Sequence, residues 1–361
     1  MSKDFTIIVG TAAEGIWTSH DSGITWIRSS LELPVFHQAG EVTTRAITVN
    51  PHDPSDIWIG TTADLGYDII QRSRDAGDTF HHVPAPPLED QREIWSIAID
   101  PNDPDTVYVG TRPAAVFKTS DGGRNWIELP VGAPEVCPFG LEGSPDRMST
   151  RLTAIEFVPG SSDEIWVSVE IGGLFHTTDA GQTWEHSVLA DGESLMGPTE
   201  VFRPDRHTDI HDLAMARTPE GVTFLATTPI GFFRSTDNGT TWKASRGAPL
   251  PDGDSFFYSR GVIFKHDDPN VVLYGTGDFI PGTKGVVQRS EDGGVTWSPV
   301  GPKTKSLLYR LASHPSMPEV MVATSIYGQV LVSRDGGLEW DELDRAFGET
   351  RIINVTPAGA S

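Results

Sequence analysis

One octapeptide returns seven times along the 361-residue chain, and no other feature limits its fold so tightly. The first copy is Ser19-His20-Asp21-Ser22-Gly23-Ile24-Thr25-Trp26, and later copies begin at Ser73, Thr119, Thr177, Ser235, Ser290 and Ser333. The third residue is always Asp (Asp21, Asp75, Asp121, Asp179, Asp237, Asp292, Asp335), and the fifth is always Gly. The eighth is always aromatic: Trp26, Phe80, Trp126, Trp184, Trp242, Trp297 and Trp340. Each copy lies between short β-rich runs, such as Ile16-Trp17-Thr18 and Trp26-Ile27, so it reads as a hairpin turn. A carboxylate can accept hydrogen bonds from turn amides, Gly supplies the positive φ of a tight reversal, and the aromatic packs beneath. Self-similarity at intervals of tens of residues means repeat architecture.

The pattern S/T-x-D-x-G-x-T-W resembles the Asp-box, or BNR, repeat of β-propellers. That superfamily includes sialidases, xyloglucanase-type glycosidases, sortilin-like receptors and photosystem II assembly factors. The resemblance covers essentially the whole chain and implies an all-β, seven-bladed β-propeller of four-stranded antiparallel blades. It also implies that the boxes lie on the blade periphery, away from the ligand face, so the box aspartates are structural. The repeats run end to end without a linker, which predicts a single domain over 1–361. The expected blades cover approximately 351–357 with 5–31, then 44–83, 93–129, 151–188, 211–246, 258–300 and 308–344. The first is one strand short. Arg351-Ile352-Ile353-Asn354-Val355-Thr356-Pro357 matches the inner-strand run Arg45-Ala46-Ile47-Thr48-Val49-Asn50-Pro51. The C-terminal strand is therefore expected to complete the N-terminal blade and close the ring, which removes exposed sheet edges.

Composition narrows the partners. Lys and Arg number 27 against 50 Asp and Glu, a net charge of −23, so a nucleic-acid backbone would be repelled. Cys137 is the only cysteine, which rules out an intrachain disulfide, and no zinc-finger spacing is present. Met1-Ser2-Lys3-Asp4-Phe5 lacks the pattern of a secretory signal, and no apolar run approaches membrane-spanning length. The expectation is a soluble cytoplasmic protein with no membrane partner.

Differences between the blades carry the functional information. The links Ile127 to Thr150 and Glu185 to Ile210 are much longer than Gly301 to Leu307, and long links are usually functional. With the turns Glu170-Ile171-Gly172-Gly173 and Asp278-Phe279-Ile280-Pro281 they would surround the mouth of the central channel. Aligned on their closing turns, the inner strands place Arg45, Trp95, Thr153, Arg260, Tyr309 and Arg351 at one register, with Arg310 beside Tyr309 and Arg151 ahead of the fourth blade. Guanidinium forks suit carboxylates, sulfates or phosphates, so Arg45, Arg151, Arg260, Arg310 and Arg351 with Trp95 and Tyr309 form a candidate substrate-binding arc. The competing reading pairs each arginine with a neighbouring acid such as Glu349 or Glu41. The arc resembles the arginine triad of sialidases, but their N-terminal signature is missing here and no tyrosine nucleophile can be assigned.

A second constellation runs from Glu200 to Asp212 and is dense in His, Asp and Arg. His211, His207, Glu170 and Asp212 are the candidate proton-transfer groups. In an extended strand His207 and His211 would stand ~13 Å apart, so a divalent metal near His207 and His211 requires a bent loop. No other cofactor is implied. These readings converge on a propeller enzyme, a hydrolase (glycosidase-like, or acting on a lactone or ester) or a lyase, that takes a small anionic or sugar-like ligand in its upper central pocket. The alternative is a non-catalytic assembly scaffold.

Overall fold

The computed structural model describes residues 4–32, 42–63, 67–84, 86, 92–135, 149–187, 189, 202–203, 206–250, 253–254 and 256–358. Seven antiparallel sheets form a ring, each with four strands that run outward from the axis. Blade 1 contains Phe5–Thr11, Ile16–Ser19 and Ile27–Arg28, with Thr350–Pro357 as its inner strand. Phe5 pairs with Pro357 and Thr11 with Thr350, so the two ends of the chain lock one blade. The remaining inner strands are Val42–Asn50, Glu93–Ile99, Arg151–Phe157, Asp212–Thr218, Tyr258–Lys265 and Leu308–His314, for blades 2 to 7 in order. Each inner strand touches the next, and the last touches Thr350–Pro357, which closes the circle. Among the described residues no helix is long and apolar enough to cross a membrane.

The boxes behave as turns. In blade 1, Ser19 Oγ donates to Asp21 Oδ1 at 2.8 Å, and Gly23 N donates back to Ser19 Oγ at 2.8 Å. Thr25 supplies both its amide (2.8 Å) and its hydroxyl (2.5 Å) to the two oxygens of Asp21. Hydrogen bonds from Thr296 and Ser290 outweigh burial at Asp292 and hold its carboxyl at about 2. The fourth box residue shares the left-handed conformation of the glycine: Ser22 has φ 62°, Ala180 57° and Asn238 56°. Two successive left-handed residues explain why this position stays small or Asx-like.

The core is divided among the blade interfaces. Trp166 and Leu174 of blade 4 pack on Phe224, Phe233 and Trp242 of blade 5, and equivalent clusters join every neighbouring pair. The link after blade 1 adds Ser30–Leu31 in parallel beside Thr79–Val83, a fifth strand on blade 2 that the repeat alone does not reveal.

Six inner strands carry an irregularity near the upper mouth. Arg45, Trp95, Thr153, Tyr309 and Arg351 are each skipped by the ladder in their own blade, and Gly261 is skipped in blade 6. A bulge re-aims its side chain, so the register found by aligning inner strands is a ring of bulges. Arg260 sits one residue ahead of its bulge. Gly261 occupies that place at φ 30°, where a Cβ would lie 2.9 Å from Arg310 Cα. Blade 5 pairs without interruption from Asp212 to Thr218, which is why it fits that alignment poorly.

The closing strand is the point to test. Ile353 is buried at the interface of blades 7 and 1, so Ile353→Ala should cost about 2–5 kcal/mol. Removal of residues 350–358 should abolish the single cooperative melting transition, read by calorimetry.

Candidate functional site

The link into blade 5 zips onto the end of blade 4. Gly173 N donates to Thr208 O at 3.1 Å, and Asp209 forms a single antiparallel bridge with Glu170. His211 N then donates to Thr227 O at 2.8 Å and begins the next blade. This backbone path delivers Asp209 and His211 to the carboxylate of Glu170. One ligand-type atom from each of the three lies within 4.8 Å of the others.

The electrostatics of the three differ sharply. Arg151 grips Glu170 through Nε–Oε2 (2.5 Å) and Nη2–Oε1 (2.6 Å), while Arg260, from across the mouth, reaches the same oxygens at 3.4–3.5 Å. Burial works to raise Glu170, but Arg260 and Arg151 outweigh it and hold the carboxyl at about 2. Burial and then the Glu170 charge push Asp209 up to about 7. His211 is driven well below its ordinary value by burial and by Arg260. The neutral His211 ring donates from Nδ1 to Ser259 O at 2.7 Å, because a carbonyl can only accept. Its Nε2 lone pair therefore faces Asp209 Oδ1 at 3.6 Å.

Each expected arginine has an acid beside it, and two of the four acids are shared. Arg45 and Arg112 stand 3.7 and 3.5 Å from Glu93, Arg151 and Arg260 hold Glu170, Arg310 bonds Asp212 at 3.0 Å, and Arg351 bonds Glu349 at 2.5 Å. The pairing with Glu349 is as the competing sequence reading had it; Glu41 lies outside the described residues. Trp95 is sandwiched between the guanidiniums of Arg45 (4.6 Å) and Arg151 (4.8 Å), and its indole N–H bonds Glu93. Tyr309 lies under Arg260 and Arg310, whose guanidinium carbons are 5.5 and 5.6 Å from its ring.

Two expectations need correction. Asp212 does not serve His211: successive side chains on a strand point to opposite faces, and Asp212 turns into the channel to Arg310 and Val262 N. Glu170 is not free to move protons, because Arg151 occupies both of its oxygens. Among the described residues the metal-type donor set is Glu170, Asp209 and His211. His207 has its backbone in a short pairing with Phe202, and its side chain lies outside the described residues. A divalent cation at this donor set would meet the guanidiniums already on Glu170, so the charge balance favours a proton there. The sequence reading overlooked Asp209, although it lies in the His- and Asp-rich run, and Tyr258, whose hydroxyl accepts from Arg260 at 3.3 Å. It also overlooked Glu156, which lines the channel; burial and then the charge of Asp212 push its carboxyl to about 8.

A closed ring of seven sheets with an Asp-box in each blade makes this chain a BNR-type β-propeller. The BNR/Asp-box repeat model matches residues 233–244, the end of the third strand and the box of blade 5. Among relatives, a probable oligoxyloglucan-reducing end-specific xyloglucanase of Neosartorya fischeri is 26% identical over 285 residues, 71% of this chain and 34% of that protein. The chain spans about a third to two fifths of the length of the curated relatives it matches. A solved GH74 xyloglucanase of Xanthomonas campestris superposes with a TM-score of 0.67 at 18% identity, over 95% of this chain and 53% of that one. YCF48 bound to D1 peptide superposes at 0.52 with 16% identity, over 84% of this chain and 82% of that one. These two structures share the fold.

Glu170→Gln tests the electrostatic account. One buried and one half-buried guanidinium would lose their counter-charge, a cost of about 3–5 kcal/mol. The same change removes the charge that raises Asp209, so the Asp209 carboxyl should titrate lower in the variant, read by NMR of the labelled side chain.

Proposed function

We propose that this propeller hydrolyses a carbohydrate-like substrate at the upper mouth of its channel, with Asp209 and His211 as the proton-transfer pair. The observation that carries the reading is the juxtaposition of Asp209 with Glu170 and His211, two carboxyls pushed in opposite directions beside an imidazole lone pair. Such a divergence is how one site keeps an acid and a fixed charge together near neutral pH. The relatives named as xyloglucanases support a glycosidic bond as the target.

In this mechanism Asp209 gives its proton to the departing glycosidic oxygen, the carbon–oxygen bond breaks, and a water oxygen forms the new bond. The pair recovers a proton from that water, since His211 Nε2 faces Asp209 Oδ1. Asp209, with a side chain 14% exposed, is the more open of the two to substrate; that of His211 is 1% exposed. The arginine arc and Trp95 orient the substrate. Glu170 acts as the fixed charge that keeps the proton on Asp209.

A second reading, a scaffold that binds a peptide, is supported by the fold the chain shares with YCF48 bound to D1 peptide. Release of reducing ends from an oligosaccharide panel separates the two. Hydrolysis should be lost as pH rises through about 7, where Asp209 gives up its proton, and Asp209→Asn should lower the rate by about 100-fold or more. Undiminished turnover in Asp209→Asn would remove the mechanism, and saturable peptide binding with no turnover would select the scaffold.

A further inference from the structure

Below the mouth the channel opens into a second cavity. A volume of about 470 Å³ lies between the inner strands of blades 4 to 7, with Met215, Val262, Phe264 and Leu311 among its apolar walls. That is the size of a site for a small molecule. Three basic side chains, Arg217, Lys265 and His266, stand at its lower end, and each already has a protein partner. Arg217 donates to Pro159 O at 2.8 Å, Lys265 bonds Asp267 at 2.5 Å and Glu319 at 2.7 Å, and His266 Nε2 faces Ser313 O at 3.5 Å.

Glu156 stands where this cavity meets a smaller one above it, and it lines both. It is two residues beyond Ala154 on the same strand, so its side chain points the same way, toward blade 5, where Ala154 packs with Leu213 and Met215. Glu93, Glu170, Asp212 and Glu349, the acids around the mouth, each have an arginine. Glu156 has no hydrogen bond or ion pair among the described residues, and the charge that acts on it is the like charge of Asp212. A buried carboxylate is stable only beside a cation. A bare metal ion would need several oxygen ligands, and Asp212 is already held by Arg310 at 3.0 Å. An ammonium group needs one carboxylate, and a hydrocarbon stem attached to it suits the walls below.

We propose that the lower channel is a binding site for a small organic ammonium compound, with its N–H groups on the Glu156 carboxylate and its hydrocarbon body against Met215, Val262, Phe264 and Leu311. The site lies at the far end of the channel from Asp209 and His211 and does not depend on the hydrolase reading. A net charge of −23 draws such a cation toward the protein. Burial and Asp212 hold the empty Glu156 carboxyl at about 8, so at neutral pH the incoming cation takes the place of a proton, which leaves to solvent. The other charged or titratable groups around the two cavities are Arg45, Asp212 and Arg310 above and Arg217, Lys265 and His266 below. Burial lowers His266, away from this range.

The test uses the full chain and two matched probes, pentylammonium and 1-pentanol, with magnesium chloride as a third. Calorimetric titration at about pH 9 should give the amine at least tenfold tighter binding than the alcohol, because only the amine answers the carboxylate charge. Between about pH 6.5 and about pH 9 the amine itself stays protonated, as a lysine side chain does. Its affinity should therefore rise about tenfold or more as Glu156 loses its proton, and level off above that. Glu156→Gln, which keeps the shape of the protonated acid, should erase both the preference and the pH dependence, with a melting curve to show that it folds. Carbon-13 NMR of Glu156 in the wild-type chain does not rely on that variant: at about pH 7, saturating amine should move the carboxyl signal to its ionised position. Equal affinity for amine and alcohol, a preference that survives Glu156→Gln, a carboxyl signal that stays in place, or magnesium that displaces the amine would overturn the proposal.

Discussion

Everything at the axis depends on the antiparallel pairing of Phe5–Thr11 with Thr350–Pro357. A ring of sheets has no free edge only when its ends meet, and here a single strand from the C-terminus makes that junction. Closure sets the inner strands at fixed angles around the channel. Side chains far apart in sequence, such as Arg45, Arg260 and Arg351, can then act as one group. The interblade clusters hold that geometry with apolar packing, which leaves the axis free to carry polar chemistry.

The axis uses this freedom through irregular backbone. At six of the seven inner strands a skipped residue interrupts the ladder near the mouth, and in five of those the skipped residue is Arg45, Trp95, Thr153, Tyr309 or Arg351. Blade 5 keeps its ladder intact and contributes differently, by sending the segment before it across to Glu170. The result is asymmetry built from a symmetric fold. A cationic half faces a patch where one carboxylate is clamped and another is pushed up to about 7.

Glu170 links the two halves. Arg151 from its own blade and Arg260 from two blades away share its charge, and that charge raises Asp209. One buried side chain thus serves as an interblade tie and as the source of the field around the acid. Arc and acid belong to one electrostatic unit, and the reading of the mouth as a sugar-processing site treats them so.

Much of this architecture is written in local sequence. The box turns, the blade count, the closing strand and the bulged register all follow from short-range chemistry: Asx-type hydrogen bonds, positive φ and period-two alternation repeat in every blade. Arg45, Trp95, Tyr309 and Arg351 could be placed at the mouth for that reason. The parallel strand Ser30–Leu31, the tie between Thr208 and Gly173, and the meeting of Asp209 with Glu170 leave no such mark, because each depends on a contact between neighbouring blades. Asp212 stood next to His211 in sequence and was separated from it by the alternation of a strand; Asp209 was brought to Glu170 by a single bridge. Sequence alone determined a seven-membered ring with cations near its mouth, since repeats encode their own local geometry. Which acid pairs with which arginine, and which carboxyl keeps its proton, was decided by the tertiary structure, because burial and charge–charge distance exist only once the blades have closed around the axis.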